Sequence, residues 1–251
     1  MKDLIKFFVG VLVKMGILTP IRTARLKFFY KMHKWPDFEH PKDVNEKINW
    51  MKFYGDTSMW ATYADKYRVR KHVEDLGLKD ILVPLIGKWG SVEEIDWEKL
   101  PNQFVMKCNN GSGDVVVCKD KSMLDIEAAK AHFAKMLNEK LSVLSGEPHY
   151  GNIKPCIIAE ELLDASTQPC NSSSLVDYKI WVFDGKPMFT WATWNREQFH
   201  ANVATYDMNW QFHPEWSVWT SHYVKPKEHL PKPKCFDRLM EVAGILGKGL
   251  P

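Results

Sequence analysis

The chain has 251 residues, enough to bury a substantial core in one domain or two. Apolar residues make up 45% and charged residues 26%, with a formal net charge of +3, which is ordinary globular composition and too little charge to argue for nucleic acid. Five cysteines with no CxxC pair and no His/Cys cluster at zinc spacing read as free thiols of a reducing compartment.

From the N-terminus, the apolar run "LIKFFVGVLVKMGIL" is interrupted by Lys6 and Lys14 and contains no spanning stretch of about 20 residues. It also lacks the small-residue cleavage site of a secretory signal. Lys2, Lys6, Lys14, Arg22, Arg25, Lys27, Lys31 and Lys34 make the first 34 residues strongly basic. Two readings stay open: a helix packed on the body of the protein, which is preferred, and an interfacial helix in peripheral contact with a membrane.

The next stretch, "HPKDVNEKINWMKFY" (40–54), predicts a helix capped by Asp43 or Asn45, with Ile48, Met51 and Phe53 near one another. A second helix is expected over 60–76 and closed by Gly77. "ILVPLIGKW" reads as a strand and "SVEEID" as a short helical turn. Two short strands flank "NNGSG" at 109–113; a helix follows from Asp125 to Val143, then the strand "CIIAEELL". After a Ser-rich loop at 166–174, "YKIWVFDGKPMFTWATW" predicts a hairpin turning at Asp184-Gly185. This mixture of helices and hairpins is α+β with antiparallel sheets. The aromatic segment 206–234 suits core and lid packing better than sugar stacking, and His213 and His222 are at no metal-ligand spacing with a nearby cysteine.

Three lysines suggest chemistry. Lys107 sits mid-strand among Phe104, Val105 and Met106, where an ammonium is costly without a partner anion. Beside it, Gly111 and Gly113 let backbone N–H groups face phosphate oxygens. No GK[ST] follows, so this is not a Walker loop. Lys66 follows an acid at an expected helix start, itself a place for phosphate. Lys179 lies near Asp177 on another apolar strand, and Glu160 and Glu161 end the strand "CIIAEELL", where carboxylate and backbone can meet an adenine edge.

This ordered set resembles the ATP-grasp superfamily. "HPKDVNEKINWMKFY", "ADKYRVRKHV", "LPNQFVMKCNNGSGDVVVCKDKS", "NIKPCIIAEELL" and "DYKIWVFDGKP" are most similar to its TupA-like (teichuronopeptide-biosynthesis) branch, associated with bacterial capsule and cell-surface polysaccharide loci. The resemblance implies two antiparallel α+β subdomains with an ATP cleft between them, preceded by a helical region. The expected divisions are 1–59 (helical), 60–165 (lid with glycine flap) and 166–251 (central sheet). It implies an ATP-dependent ligase that activates a carboxylate as an acyl phosphate, displaced by an amine or other nucleophile. Lys66 and Lys107 would bind phosphates under a flap of Asn110, Gly111, Ser112 and Gly113. Glu160 would meet the adenine amine with Glu161 and Leu162 beside the ring. Lys179 would lie near the γ-phosphate, and Arg196 would meet the acyl phosphate or form a surface salt bridge. The implied partners are ATP, Mg²⁺ and a carboxylate-bearing sugar or amino acid, in the cytoplasm or at the inner face of the membrane, with no nucleic acid. The chain stops at "LMEVAGILGKGLP", so the family's acidic metal-binding strands are expected beyond Pro251. A sugar-transferring enzyme and a nucleotide-binding but inactive shortened chain are the alternatives.

Overall fold

The structure, a computed structural model, describes residues 11–13, 15–111, 115–168 and 170–250. The reading of the run before Met15 falls largely outside the described residues, as do Ser112 and Gly113 of the flap. The chain divides into two compact units, Met1–His72 with Ile81–Leu162, and Val73–Asp80 with Leu163–Pro251.

In the first unit, α1 (Pro20–Met32) starts after Thr19, whose side chain accepts from the Arg22 N–H, with proline at the first helical position. Helix α2 (Val44–Tyr54) has the expected cap: Asp43 accepts from the N–H groups of Asn45 and Glu46. Ala24 and Phe28 of α1 pack with Phe38 and Phe53. The helix expected over 60–76 is two helices, α3 (Trp60–Ala64) and α4 (Arg68–Asp75). Asp65 makes the break, because its carboxylate accepts from Tyr67 N and Arg68 N at 2.9 and 3.1 Å and restarts the helix there.

Strand β1 (Leu85–Trp89) takes only the end of "ILVPLIGKW": Lys79–Ile81 is a 3₁₀ turn, and Pro84 has no N–H for a ladder. "SVEEID" forms bends and turns without a helix. With β2 (Phe104–Cys108), β3 (Val115–Cys118) and β4 (Ile157–Glu160), strand β1 builds an antiparallel sheet in the order β1-β4-β2-β3. Asp125 caps α5 (Ile126–Leu137), which ends earlier than expected. The Asn138 side chain donates back to the Ala134 carbonyl at 2.8 Å, and a separate short helix, α6 (Leu141–Ser145), follows. Pleat alternation sends Phe104, Met106 and Cys108 into a core with Phe133, Ile157 and Ala159. Val105 and Lys107 therefore take the other face, where Val105 stands opposite Glu160 and Lys107 opposite Ile158.

The second unit holds β5 (Asp177–Phe183), β6 (Lys186–Trp194), β7 (Ala201–Asp207) and β8 (Tyr223–Val224). The hairpin turns where expected, at Asp184 (φ 49) and Gly185 (φ 71), two left-handed residues in the pattern of a type I′ turn. The sheet is antiparallel except at its edge, where β8 returns parallel to β7. Helix α7 (Phe236–Gly247) packs on β5 and β6. Beneath lies a core of Ala192, Trp194, Ala204, Tyr206 and Leu230. Trp210 stacks on Tyr206 at 4.4 Å and 1°, so this part of the aromatic segment is packing.

Candidate functional site

Lys107 and Glu160 are diagonal neighbours on the face of the first sheet that turns away from the core, within reach of long side chains. Lys107 Nζ lies 2.5 Å from Glu160 Oε2, and Arg70 of α4 donates from one guanidinium nitrogen to Glu160 Oε1 at 2.9 Å. Arg70 also donates to the Val83 carbonyl at 2.7 Å. The side chains of Lys107, Arg70 and Glu160 are only 22%, 14% and 11% exposed. Two cations thus share one carboxylate in a region of reduced dielectric, which leaves a local excess of positive charge. Glu160 reaches this face as the last residue of β4, and both of its oxygens already hold cations.

Lys66 lies beside this group. Its ammonium donates to the carbonyl of Cys108 at 3.2 Å, one residue from Lys107, and to the carbonyl of Gly111. Its own N–H donates to Asn109 O at 2.9 Å. Asn109 is 1% exposed and ties three segments together: it donates to Asp65 at 2.9 Å and to Lys154 O at 3.1 Å, and accepts from Cys156 N at 2.8 Å. Two expectations change here. The start of α4 is not open to phosphate, because Asp65 already accepts from its first N–H groups. Asn110 and Gly111 are buried, so the first half of the glycine turn is packed inward. A hollow of about 370 Å³ adjoins, lined in part by Asp65, Tyr67, Arg68, Lys88, Asn109 and Lys154.

Past the end of β4, Glu161 is exposed and its N–H donates to Pro84 O at 3.1 Å. Glu161 and Leu162 line a groove of about 550 Å³ with Ile86, Pro101, Asn102 and Gln103. Backbone and amide groups beside aliphatic carbon are the chemistry a purine edge requires.

In the second unit, Lys179 and Arg196 converge on one carboxylate: Lys179 pairs with Asp177, and Arg196 lies 3.3 Å from the same oxygen. Lys179 also stands 6.0 Å over the Trp191 ring. These side chains are 41% to 48% exposed. The surface salt bridge foreseen for Arg196 is thus present, and its partner is Asp177.

The described donor sets fit a polyphosphate but not a protein-held cation. Lys66, Arg70 and Lys107 supply N–H donors, whereas among the described residues no group of three or more His, Cys, Asp or Glu side chains is placed to hold a metal ion. None of the five cysteines is in a disulfide, and burial pushes the Cys156 thiol up to about 11, which keeps it protonated. Sequence reasoning singled out Lys66, Lys107 and Glu160 but passed over Asp65, Arg70 and Asn109. Asp65 and Arg70 both stand in "ADKYRVR", but the assumption of one continuous helix hid the bend that turns them inward.

A family model described as TupA-like ATP-grasp matches residues 46–251. No curated protein and no solved structure matches the chain.

Proposed function

The chain belongs to the TupA-like ATP-grasp family, and we propose that it is an ATP-dependent ligase joining a carboxylate to an amine or other nucleophile in bacterial capsular or cell-surface polysaccharide assembly. The observation that carries this reading is the trio Lys107–Glu160–Arg70, with Lys66 at the adjoining carbonyls. ATP, when bound, supplies the phosphoryl group that activates the substrate carboxylate as an acyl phosphate. The part left to the chain is positioning and charge neutralisation. Lys66, Lys107 and Arg70 are assigned to the phosphates. Glu160 becomes the counter-ion that holds Lys107 and Arg70 in place before nucleotide arrives, a change from its sequence-based role at the adenine amine. The groove beside Glu161 and Leu162 takes the base. Lys179 and Arg196, steadied by Asp177, are assigned to the carboxylate under activation, which belongs to a sugar or an amino acid. Among the described residues no group of three or more His, Cys, Asp or Glu side chains is placed to hold Mg²⁺.

Calorimetric titration with ATP tests the assignment. Lys107→Ala should weaken binding about 10- to 100-fold, the effect of losing a charge-assisted hydrogen bond. Lys119→Ala, at an exposed position past β3, should leave it unchanged. Lys121 is a poor control, because its ammonium already holds the carbonyls of Glu98 and Leu100 at 2.8 and 2.6 Å. Equal losses from Lys107→Ala and Lys119→Ala would remove the trio from the nucleotide site.

A further inference from the structure

Helix α1 turns large apolar groups outward. Leu26, Phe29 and Tyr30 are 50%, 49% and 77% exposed, and their i, i+3, i+4 spacing puts them on one face. Trp35, 61% exposed, follows the left-handed His33 that ends the helix, and its ring meets Phe29 at 5.8 Å. A contiguous exposed aromatic patch is uncommon on a freely soluble surface.

The charge around the patch is one-sided. The helix "PIRTARLKFFYKM" contains four cations and no acid. At about 100° per residue, Arg25 borders the aromatic face beside Phe29, Lys27 and Lys31 border it on the other side, and Arg22 lies within it, one turn before Leu26. Lys27 and Lys31 line a groove of about 220 Å³ with Lys52, Asn45 and Asn49, and no carboxylate lines it. The facing acids are few: Glu39 lies 3.6 Å from Arg25, Glu147 lies 3.6 Å from Lys52, and exposed Asp37 follows Trp35. Lys34 is held by Asp43 and Glu46.

We propose that α1 and Trp35 form a membrane-docking element that lies in the headgroup layer of an anionic bilayer. Leu26, Phe29, Tyr30 and Trp35 enter the boundary with the acyl chains, and the Lys27–Lys31 groove takes a lipid phosphate. Aromatic rings at the interface with flanking Lys and Arg match what that layer offers: an apolar boundary, a dipolar headgroup zone and negative surface charge. A protein partner fits less well, since lysine is depleted from the contact surfaces of protein–protein interfaces. No helix among the described residues is long and apolar enough to cross a membrane, so the attachment proposed is peripheral. It goes beyond the ligase reading and uses none of the nucleotide-site residues, so either can fail alone.

The test is cosedimentation of the full chain with vesicles of phosphatidylcholine alone and of phosphatidylcholine with phosphatidylglycerol. Binding to the anionic vesicles should be about tenfold stronger or more, and high salt should release it. Phe29→Ser with Tyr30→Ser and Trp35→Ser should lower partitioning about tenfold or more. Lys27→Gln with Lys31→Gln, a milder change at exposed positions, should lower it about tenfold. Both variants should keep the parent's circular dichroism melt and ATP titration. Equal binding to the two vesicle types would overturn the proposal, as would full retention by both variants, which would move the contact elsewhere on the chain. Failure to bind, together with a self-associated form that the aromatic variant dissociates, would make this face an interface between copies instead.

Discussion

Lys107 on β2 and Lys179 on β5 each interrupt an apolar strand, and each shares a carboxylate with an arginine: Glu160 with Arg70, and Asp177 with Arg196. The composition of the two trios is nearly the same, but their surroundings differ. Glu160 is 11% exposed and its lysine 22%, whereas Asp177 and Lys179 are 41% and 48% exposed. In the first unit the ions have lost most of their water, so each needs the others. In the second, solvent screens the pair, and it can open at little cost. The first trio is therefore a fixed, preorganised cluster, and the second is free to exchange Asp177 for another anion.

Removal of the shared carboxylate tests this contrast most severely. Glu160→Ala leaves Arg70 and Lys107 without their counter-charge in a largely desolvated setting, and should destabilise the first unit by about 3 kcal/mol or more. Asp177→Ala should change the second unit by less than about 1 kcal/mol. Urea unfolding with probes in each unit would measure both, and similar losses for the two variants would mean that burial is not what separates the trios.

The smallest effect sharpens the contrast on the exposed side. His213 lies 2.7 Å from Glu215 and 3.4 Å from Asp207, stacked on Trp216 at 3.8 Å. Its pKa is raised above the usual 6.5, chiefly by the hydrogen bond to Glu215, with Asp207 contributing and burial opposing. A raised folded-state pKa stabilises the fold below the unfolded value, and that stabilisation is lost as pH rises through the folded value. The second unit should therefore weaken slightly as pH rises from below the usual histidine value of 6.5 through the raised folded value, and His213→Gln should flatten that dependence. The pKa values of Asp207 and Glu215 are lowered, so their own titration belongs to the acid range, away from this window. A slope that persists in His213→Gln, followed by thermal melts across the window, would place the titrating group elsewhere.

What the sequence determined by itself was local. The cap at Asp43, the two-residue turn at Asp184-Gly185 and the alternation that sends Met106 inward and Lys107 outward each depend on a few adjacent residues and their φ, ψ and pleat. Five separated motifs were enough for the family, because a motif needs only residue identity and order. Tertiary structure decided the partners. Arg70 meets Glu160 across 90 residues and Asn109 meets Asp65 across 44, contacts that exist because β4 is placed between β1 and β2 and because Asp65 bends the chain between α3 and α4. No periodicity encodes such pairs. They follow from strand order and burial, which fix which polar groups lose water together and must satisfy one another.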